Sequence, residues 1–417
     1  MSFDVSQLLH DAAGDPKEQS FDAVWRRSRQ LRNRRTAVVT GALVSGMLSV
    51  VFFMSVLPLA EVSAPPSSPN PVPLAEGPWR AIPEAPIEGR IDALSAWTGS
   101  ELIVWGGYDP REGINSPGWL NGAAYNPSTD EWRRLARSPI KDAADGGRSA
   151  VWTGEEFIIW GGEDDRARRP DNGAAYNPAT DSWRTLPESP VWSLAGHSAV
   201  WTGEEMIVWG GVDDTGGAAY DPRSNRWRAI AADYSDSPPQ SRFRHAAVWT
   251  GEEMIVWGGS DPSSGDAFSD GGAYDPKQET WRTLPEAPLR SSDSPDAVWT
   301  GREMIVWGGV SQHEGQSSGA AYDPARDSWR TIEPGPITDW FGAPPPVWTG
   351  SVMVVLGQDR AAAYDPRSDS WTGLAASAAL ERESQTMVWS GEELLVWGGD
   401  NRFASRPHAD GARWRPE

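Results

Sequence analysis

Six basic side chains occupy recurring places in this chain. Arg90, Arg148, His197, Arg242, His245 and Arg382 each lie four to seven residues ahead of a tryptophan that itself recurs. Guanidinium and imidazole groups so placed can converge on an anionic or polyhydroxyl ligand through charge-assisted hydrogen bonds. The competing use is local, bonding main-chain carbonyls where strands begin. A second recurrent set is acidic: Asp109, Glu163, Asp164, Asp165, Asp213, Asp214, Asp261, Asp359 and Asp400 follow glycine-rich steps. Carboxylates of this kind can hold Ca²⁺ or sugar hydroxyls. Their spacing matches neither an EF-hand nor the regular tandem of a calcium β-roll, so they read as solvated loop tips and no metal is assigned.

Catalytic chemistry has fewer supports. The five histidines, at positions 10, 197, 245, 313 and 408, include no pair at short metal-ligand spacing. No Gly-x-Ser-x-Gly elbow, phosphate loop or dinucleotide fingerprint is present, and no catalytic residue or cofactor is expected. A carboxylate pair for glycoside chemistry would have to come from distant segments.

The elements that position these groups are written in a repeat. Variants of Ala-Val-Trp-Thr-Gly-Glu-Glu-Met-Ile-Val-Trp-Gly-Gly occur seven times between Trp97 and Trp397, most plainly at Ala199 to Gly211 and Ala247 to Gly259. The first and second Trp are always eight apart, as in Trp97 and Trp105 or Trp201 and Trp209, with Leu356 in the second place after Trp348. A fixed gap around Thr-Gly-Glu-Glu predicts a tight hairpin, and the continuously apolar second run predicts a strand covered on both faces. A stretch of variable length follows, then Gly-Ala-Ala-Tyr-Asp/Asn-Pro, with a third Trp seven residues beyond the Tyr, as in Tyr274 and Trp281. The Pro step marks a turn, so each unit holds four short strands.

With its double glycine, Tyr and Trp at these relative spacings, the chain resembles the kelch family, within the galactose-oxidase-like central-domain superfamily, over residues 79 to 417. The resemblance implies an all-β, seven-bladed kelch-type propeller. It is weaker on function, because the family includes oxidases, epimerases and pure binding modules. The copper oxidases among them use a Tyr crosslinked to Cys, and this chain has no Cys. The last repeat stops after Gly411-Ala412-Arg413-Trp414, while Trp79-Arg-Ala-Ile-Pro-Glu-Ala-Pro86 copies the fourth-strand text of Trp281 to Pro288. The two ends are therefore expected to share blade seven and remove free edges.

Ahead of the propeller, residues 36–60 run without a charge, long enough for a transmembrane helix. Arg26, Arg27, Arg29, Arg32, Arg34 and Arg35 precede that run, and the first basic residue after it is Arg80. The positive-inside rule then puts a short helical leader, residues 1–35, in the cytoplasm and the propeller outside, as in a single-pass, bacterial membrane-anchored form. A cleaved signal peptide, cut after Val62-Ser63-Ala64, is the rival; the long leader, the long apolar run and Pro65 favour the anchor. Residues 61–78 hold six prolines and read as an extended spacer. The leader could also present an apolar face of Leu8, Leu9, Phe21, Val24 and Trp25 to a cytosolic partner.

Charge excludes one class of partner. The net charge is −21, and a leader with seven basic against five acidic residues leaves −23 for the remainder, so non-specific nucleic-acid binding is not expected. Without disulfides, an exported ring must hold by burial and closure, to which twenty-five Trp contribute. All the length variation falls on the face carrying the second-to-third strand loops: fourteen residues at Tyr108 to Asn121, five at Val212 to Gly216, three at Gln358 to Arg360. Variable loops on a rigid scaffold are where binding is usually built. The expected function is thus a ligand- or protein-binding module on that face, for an extracellular glycan or protein, with a saccharide-active or epimerase-like enzyme as the alternative.

Overall fold

The computed structural model describes residues 74–75, 79–112, 118–141, 147–162, 173–191, 195–212, 216–230, 239–309, 318–337, 343–357, 360–375, 377, 380–401 and 406–416. The leader, the apolar run of residues 36–60 and most of the proline-rich stretch lie outside them. No helix among the described residues is long and apolar enough to cross a membrane.

Blade three illustrates how a repeat becomes a sheet. Ser198–Trp201, Met206–Trp209, Gly217–Asp221 and Arg226–Ile230 pair in that order, each antiparallel to the next. The first reversal turns on Gly203 at φ 97°, a left-handed backbone that glycine adopts without a Cβ clash. Thr202 fixes the turn, its Oγ1 accepting the Glu205 N–H at 2.9 Å. In the second hairpin Asn225 takes the left-handed place, and its Oδ1 accepts the Tyr220 hydroxyl proton at 2.7 Å. Along the second strand, Met206 and Val208 pack toward blade two while Ile207 and Trp209 pack toward blade four. That two-sided burial is why the run has no polar alternation.

Seven such sheets form the propeller, and seven hydrophobic clusters fill the joints between them. In six joints the second Trp of one blade stacks on the fourth-strand Trp of the next, as Trp105 on Trp183 at 5.9 Å and Trp209 on Trp281 at 4.9 Å. In the joint after blade six, Leu356 packs with Trp79 instead. The innermost strands neighbour one another in cyclic order, with Thr386–Trp389 of blade seven beside Leu94–Trp97 of blade one.

Closure follows the sequence. Arg80–Ile82 pairs antiparallel with Gly411–Trp414 as the outer strand of blade seven. Trp79 behaves as a fourth-strand Trp: its Nε1 donates to the Ala375 carbonyl of blade six at 2.8 Å, as Trp132 donates to the Pro83 carbonyl of blade seven at 2.8 Å. Just ahead, within the stretch read as spacer, Leu74–Ala75 pairs in parallel with Ser370–Leu374 and gives blade six a fifth strand. One segment thus contributes an outer strand to blade six and then to blade seven.

The face with constant turns is stitched by one recurring device. Arg184, next to the fourth-strand Trp of blade two, holds Glu156 of its own hairpin at 2.5 Å and donates to the Tyr220 hydroxyl of blade three at 2.6 Å. Arg133, Arg228, Arg282 and Arg330 repeat this with Glu101, Glu205, Glu253 and Glu303, and with Tyr176, Tyr274, Tyr322 and Tyr364. A fork-shaped guanidinium suits this double duty across a joint.

Blade six departs from the pattern at every level. Val352 and Thr372 stand where the glutamate and arginine would be, and blade seven offers Trp414 in the place of the tyrosine. The three changes agree: Val352 and Trp414 pack in the hydrophobic cluster of that joint. The inner strand shrinks to Val347–Trp348, because Pro344, Pro345 and Pro346 have no N–H to give a ladder.

Candidate functional site

The six basic residues separate into two structural sets. Arg90, Arg242 and Arg382, seven residues before the inner Trp, are 1%, 0% and 7% exposed. Arg242 Nη1 donates to the carbonyls of Gly258 at 3.1 Å and Asp270 at 3.0 Å, and Nη2 pairs with the Asp270 carboxylate at 2.9 Å. Arg90 makes the matching bonds to Gly106 and Asn121, and Arg382 to Gly398 and Asp410. Burial pulls all three guanidinium groups below their ordinary range, Arg90 to about 10. Their donors fasten both ends of the loop after the Gly pair.

That fastening builds the variable face. Arg242 lies 4.3 Å from the Phe268 ring centre and Arg90 5.6 Å from that of Trp119, so an aromatic from the loop covers each cation. Trp119, Phe268 and His408 all return to the second glycine of the pair, their N–H groups donating to Gly107, Gly259 and Gly399 at 2.7, 2.8 and 2.8 Å. Blade five carries Ser292 in the arginine's place, with its Oγ 3.4 Å from the Gly308 carbonyl. Between blades one and seven, Arg111 spans Asp109 at 3.4 Å and Asp400 at 2.5 Å. Asp261 instead closes its own turn, accepting the Ser263 N–H at 2.6 Å. The other acidic loop residues named from the sequence lie outside the described residues.

Arg148, His197 and His245 stand four residues before the inner Trp. Arg148 is half-buried and opens the inner strand of blade two, opposite Gly161. His197 Nε2 shares a hydrogen bond with Ser149 Oγ of blade two at 2.7 Å, and His245 Nε2 shares one with Ser198 Oγ of blade three at 2.7 Å. Each ring also meets the preceding blade's second Trp edge-on, at 5.0 Å to Trp160 and 5.1 Å to Trp209. Burial first, then Arg242 and His197, hold His245 down at about 3, so it is neutral near pH 7. Such a weak base does little to activate Ser198, and the pair works as an inter-blade staple.

The structure thus places the six residues on five blades, with Arg90, Arg242 and Arg382 each bonded to its own loop and His197 and His245 each bonded across a joint. Among the described residues no three His, Cys, Asp or Glu come together as metal ligands. Two polar residues with no role in the sequence reading stand on the same rim. Asp296 begins the inner strand of blade five, at the place Ser149 and Ser198 hold in blades two and three, and desolvation pushes its carboxyl up to about 7. Gln385 of blade seven holds the place of His197 and His245 and is 4% exposed. Aligning the repeats on their first Trp would have exposed both.

The decisive features are now together: seven sheets built on one repeat, a Gly pair under six of the seven variable loops, and Trp–Trp contacts at six of the seven joints. Residues 196–399 match the KLHDC2/KLHL20/DRC7 Kelch-repeats domain. The chain is a kelch-repeat propeller. The kelch-like protein terF of Aspergillus terreus (strain NIH 2624 / FGSC A1156) is 28% identical over 151 residues, or 34% of this chain. The alignment spans 32% of that relative's length, so the likeness concerns kelch repeats and not a whole protein. In this kelch ring the repeat's Trp and Tyr residues are taken up by packing, and the glycines of the first hairpins by their left-handed backbone.

Proposed function

We propose that this kelch propeller is a binding module for a protein ligand, held at the cell membrane by residues 36–60 with its ring outside and its variable face as the binding surface. The observation that carries the binding reading is the contrast between faces. One is fixed by the same Arg–Glu–Tyr stitch at five joints, and the other bears loops of differing length anchored from below by buried arginines. The anchor rests on the uncharged run and the arginines that precede it.

The test uses the full-length chain in lipid nanodiscs against arrayed peptides and glycans. Binding to peptides should be lost on Arg111→Glu, on the variable face, and kept on Glu204→Arg, on the constant face. Equal sensitivity to both substitutions, or binding confined to glycans, overturns the assignment. Orientation is checked by adding protease to intact cells: the propeller should be accessible, and a fully protected propeller counts against an outward ring.

A further inference from the structure

The stitch that blade six lacks has a second consequence, on the outside of the ring. The outer strands of the other six blades each carry arginine: Glu131–Arg134, Ser182–Thr185, Arg226–Ile230, Thr280–Thr283, Ser328–Thr331 and Arg80–Ile82. Ser370–Leu374 has no charged residue, and the uncharged run continues to Leu380. An outer strand presents unpaired N–H and C=O groups, and charge along it ordinarily keeps a further strand from pairing there. Blade six has no such charge, and among the described residues it is the blade whose outer edge is covered by a fifth strand.

The cover is small, and the edge is shaped for it. Leu74 lies opposite Gly373 and Ala75 opposite Leu374, in parallel. Gly373 stands where blades two, four and five carry the exposed Thr185, Thr283 and Thr331, so an incoming backbone meets no side chain there. Both Gly373 and Leu374 are buried. Two residues of parallel pairing make a weak ladder. The closing strand just downstream is held by three cross-strand pairs and by the Trp79 hydrogen bond to Ala375. The cover can therefore open while the ring stays closed.

Symmetry and charge select what an opened edge accepts. Two copies of Ser370–Leu374 set antiparallel satisfy each other's backbone groups about a two-fold axis, and no like charges come to lie opposite one another. The other outer strands keep their arginines, so the pairing stops at two copies. We infer that Leu74–Ala75 is a removable cap over a strand-accepting edge, and that the uncapped edge of blade six binds the same edge of a second copy, joining two propellers through one continuous sheet. This surface lies on the outer circumference of the ring, apart from the variable face.

The experiment measures the mass of the full-length chain in detergent by sedimentation over a dilution series. The unsubstituted chain should be a monomer. Leu74→Pro/Ala75→Pro, which deprives the cap of both its N–H groups, should approach twice that mass as concentration rises. Adding Thr372→Arg, which puts an arginine where blade two has Arg184, should restore the monomer. So should an excess of acetyl-Pro-Val-Pro-Leu-Ala-Glu-amide, a copy of residues 71–76 supplied in trans. An unsubstituted chain already dimeric, an uncapped variant monomeric at every concentration, a dimer indifferent to Thr372→Arg, or assemblies that grow beyond two copies would each overturn the inference. Should the double proline unfold the ring, amide exchange on the unsubstituted chain decides the matter. Leu74 and Ala75 should exchange at least about tenfold faster than Arg80–Ile82. Equal rates would mean that the cap opens only with the closing strand and is no separate switch.

Discussion

Arg80 and Arg413 are cross-strand partners in blade seven, and it is Arg413 that reaches blade one, donating to the Pro127 carbonyl at 2.8 Å. In blades one to five that reach belongs to the arginine just after the fourth-strand Trp, the place Arg80 holds. The guanidinium has moved one strand inward, to a position occupied by Ala124 in blade one, and still lies 3.7 Å from the hairpin carboxylate of Glu393. The joint that contains the closing strand is therefore stitched by the same chemistry from a different backbone position.

The stitch should be measurable as a coupling. A cycle of Arg184→Met and Glu156→Gln, read by chemical denaturation, is expected to give an interaction energy of about 1 kcal/mol, because both groups are partly exposed. Arg413→Met should lower stability by a similar amount, about 1 kcal/mol. Additive single effects at Arg184 and Glu156 would mean that the joint is held by its apolar contacts alone.

Much of this was legible in the sequence because a repeat multiplies each signal. Trp97 and Trp105 fix a hairpin once, and five further Trp pairs, with Trp348 and Leu356, remove the ambiguity of short apolar runs. The copy of Trp281 to Pro288 at Trp79 to Pro86 likewise revealed which strand closes the ring. The strand at Leu74–Ala75 was not legible: two residues in a proline-rich stretch carry no periodicity, and their pairing depends on the free outer edge of blade six. The six basic residues were read as one set because spacing alone does not separate an arginine seven places before the Trp from a histidine four places before it. The backbone separates them, sending the first under its own loop and the second across a joint. Asp296 and Gln385 carry no repeating signal, because their places hold a different residue type in most of the other blades.

Loss of Trp79 should loosen the whole ring. Its ring stacks against Trp414 at 6.4 Å and its Nε1 bonds blade six. Trp79→Ala is expected to lower stability by about 3 kcal/mol and broaden the unfolding transition. Removal of residues 79 to 86 should lower the thermal midpoint further; an unchanged midpoint would refute closure by this strand.

Gly161 has little tolerance for a side chain. Its φ is 88°, and a Cβ would lie 2.4 Å from His197 Cε1. Gly161→Ala should lower stability by about 2 kcal/mol or more, through backbone strain and displacement of the imidazole from Ser149. Shortening the ring in Gly161→Ala/His197→Ala should recover part of the loss; no recovery would put the whole effect in the backbone.

Two groups give the ring opposing pH dependences. His245 is held near 3 in the fold against 6.5 when unfolded, so the stability it contributes while neutral is present above 6.5 and lost as pH falls toward 3. Asp296 is raised from 3.8 to about 7, so its contribution is present below 3.8 and lost as pH rises through 7. The melting temperature of Asp296→Asn, relative to the unsubstituted chain, should therefore climb between about pH 4 and pH 7 and then level off. A difference independent of pH would place the Asp296 carboxyl in water.

The closing strand also sets an order of events during synthesis. Trp79 leaves the ribosome early, and its partner Ala375 lies 296 positions later. Until blade six has been made and Gly411–Trp414 emerges, Leu74–Ala75 and Arg80–Ile82 have no edge to join, and the growing row of blades keeps two open flanks. The nascent ring must be shielded from neighbouring chains until Gly411–Trp414 has emerged, which makes that strand the step that closes the ring within one chain instead of leaving its flanks to a swapped partner.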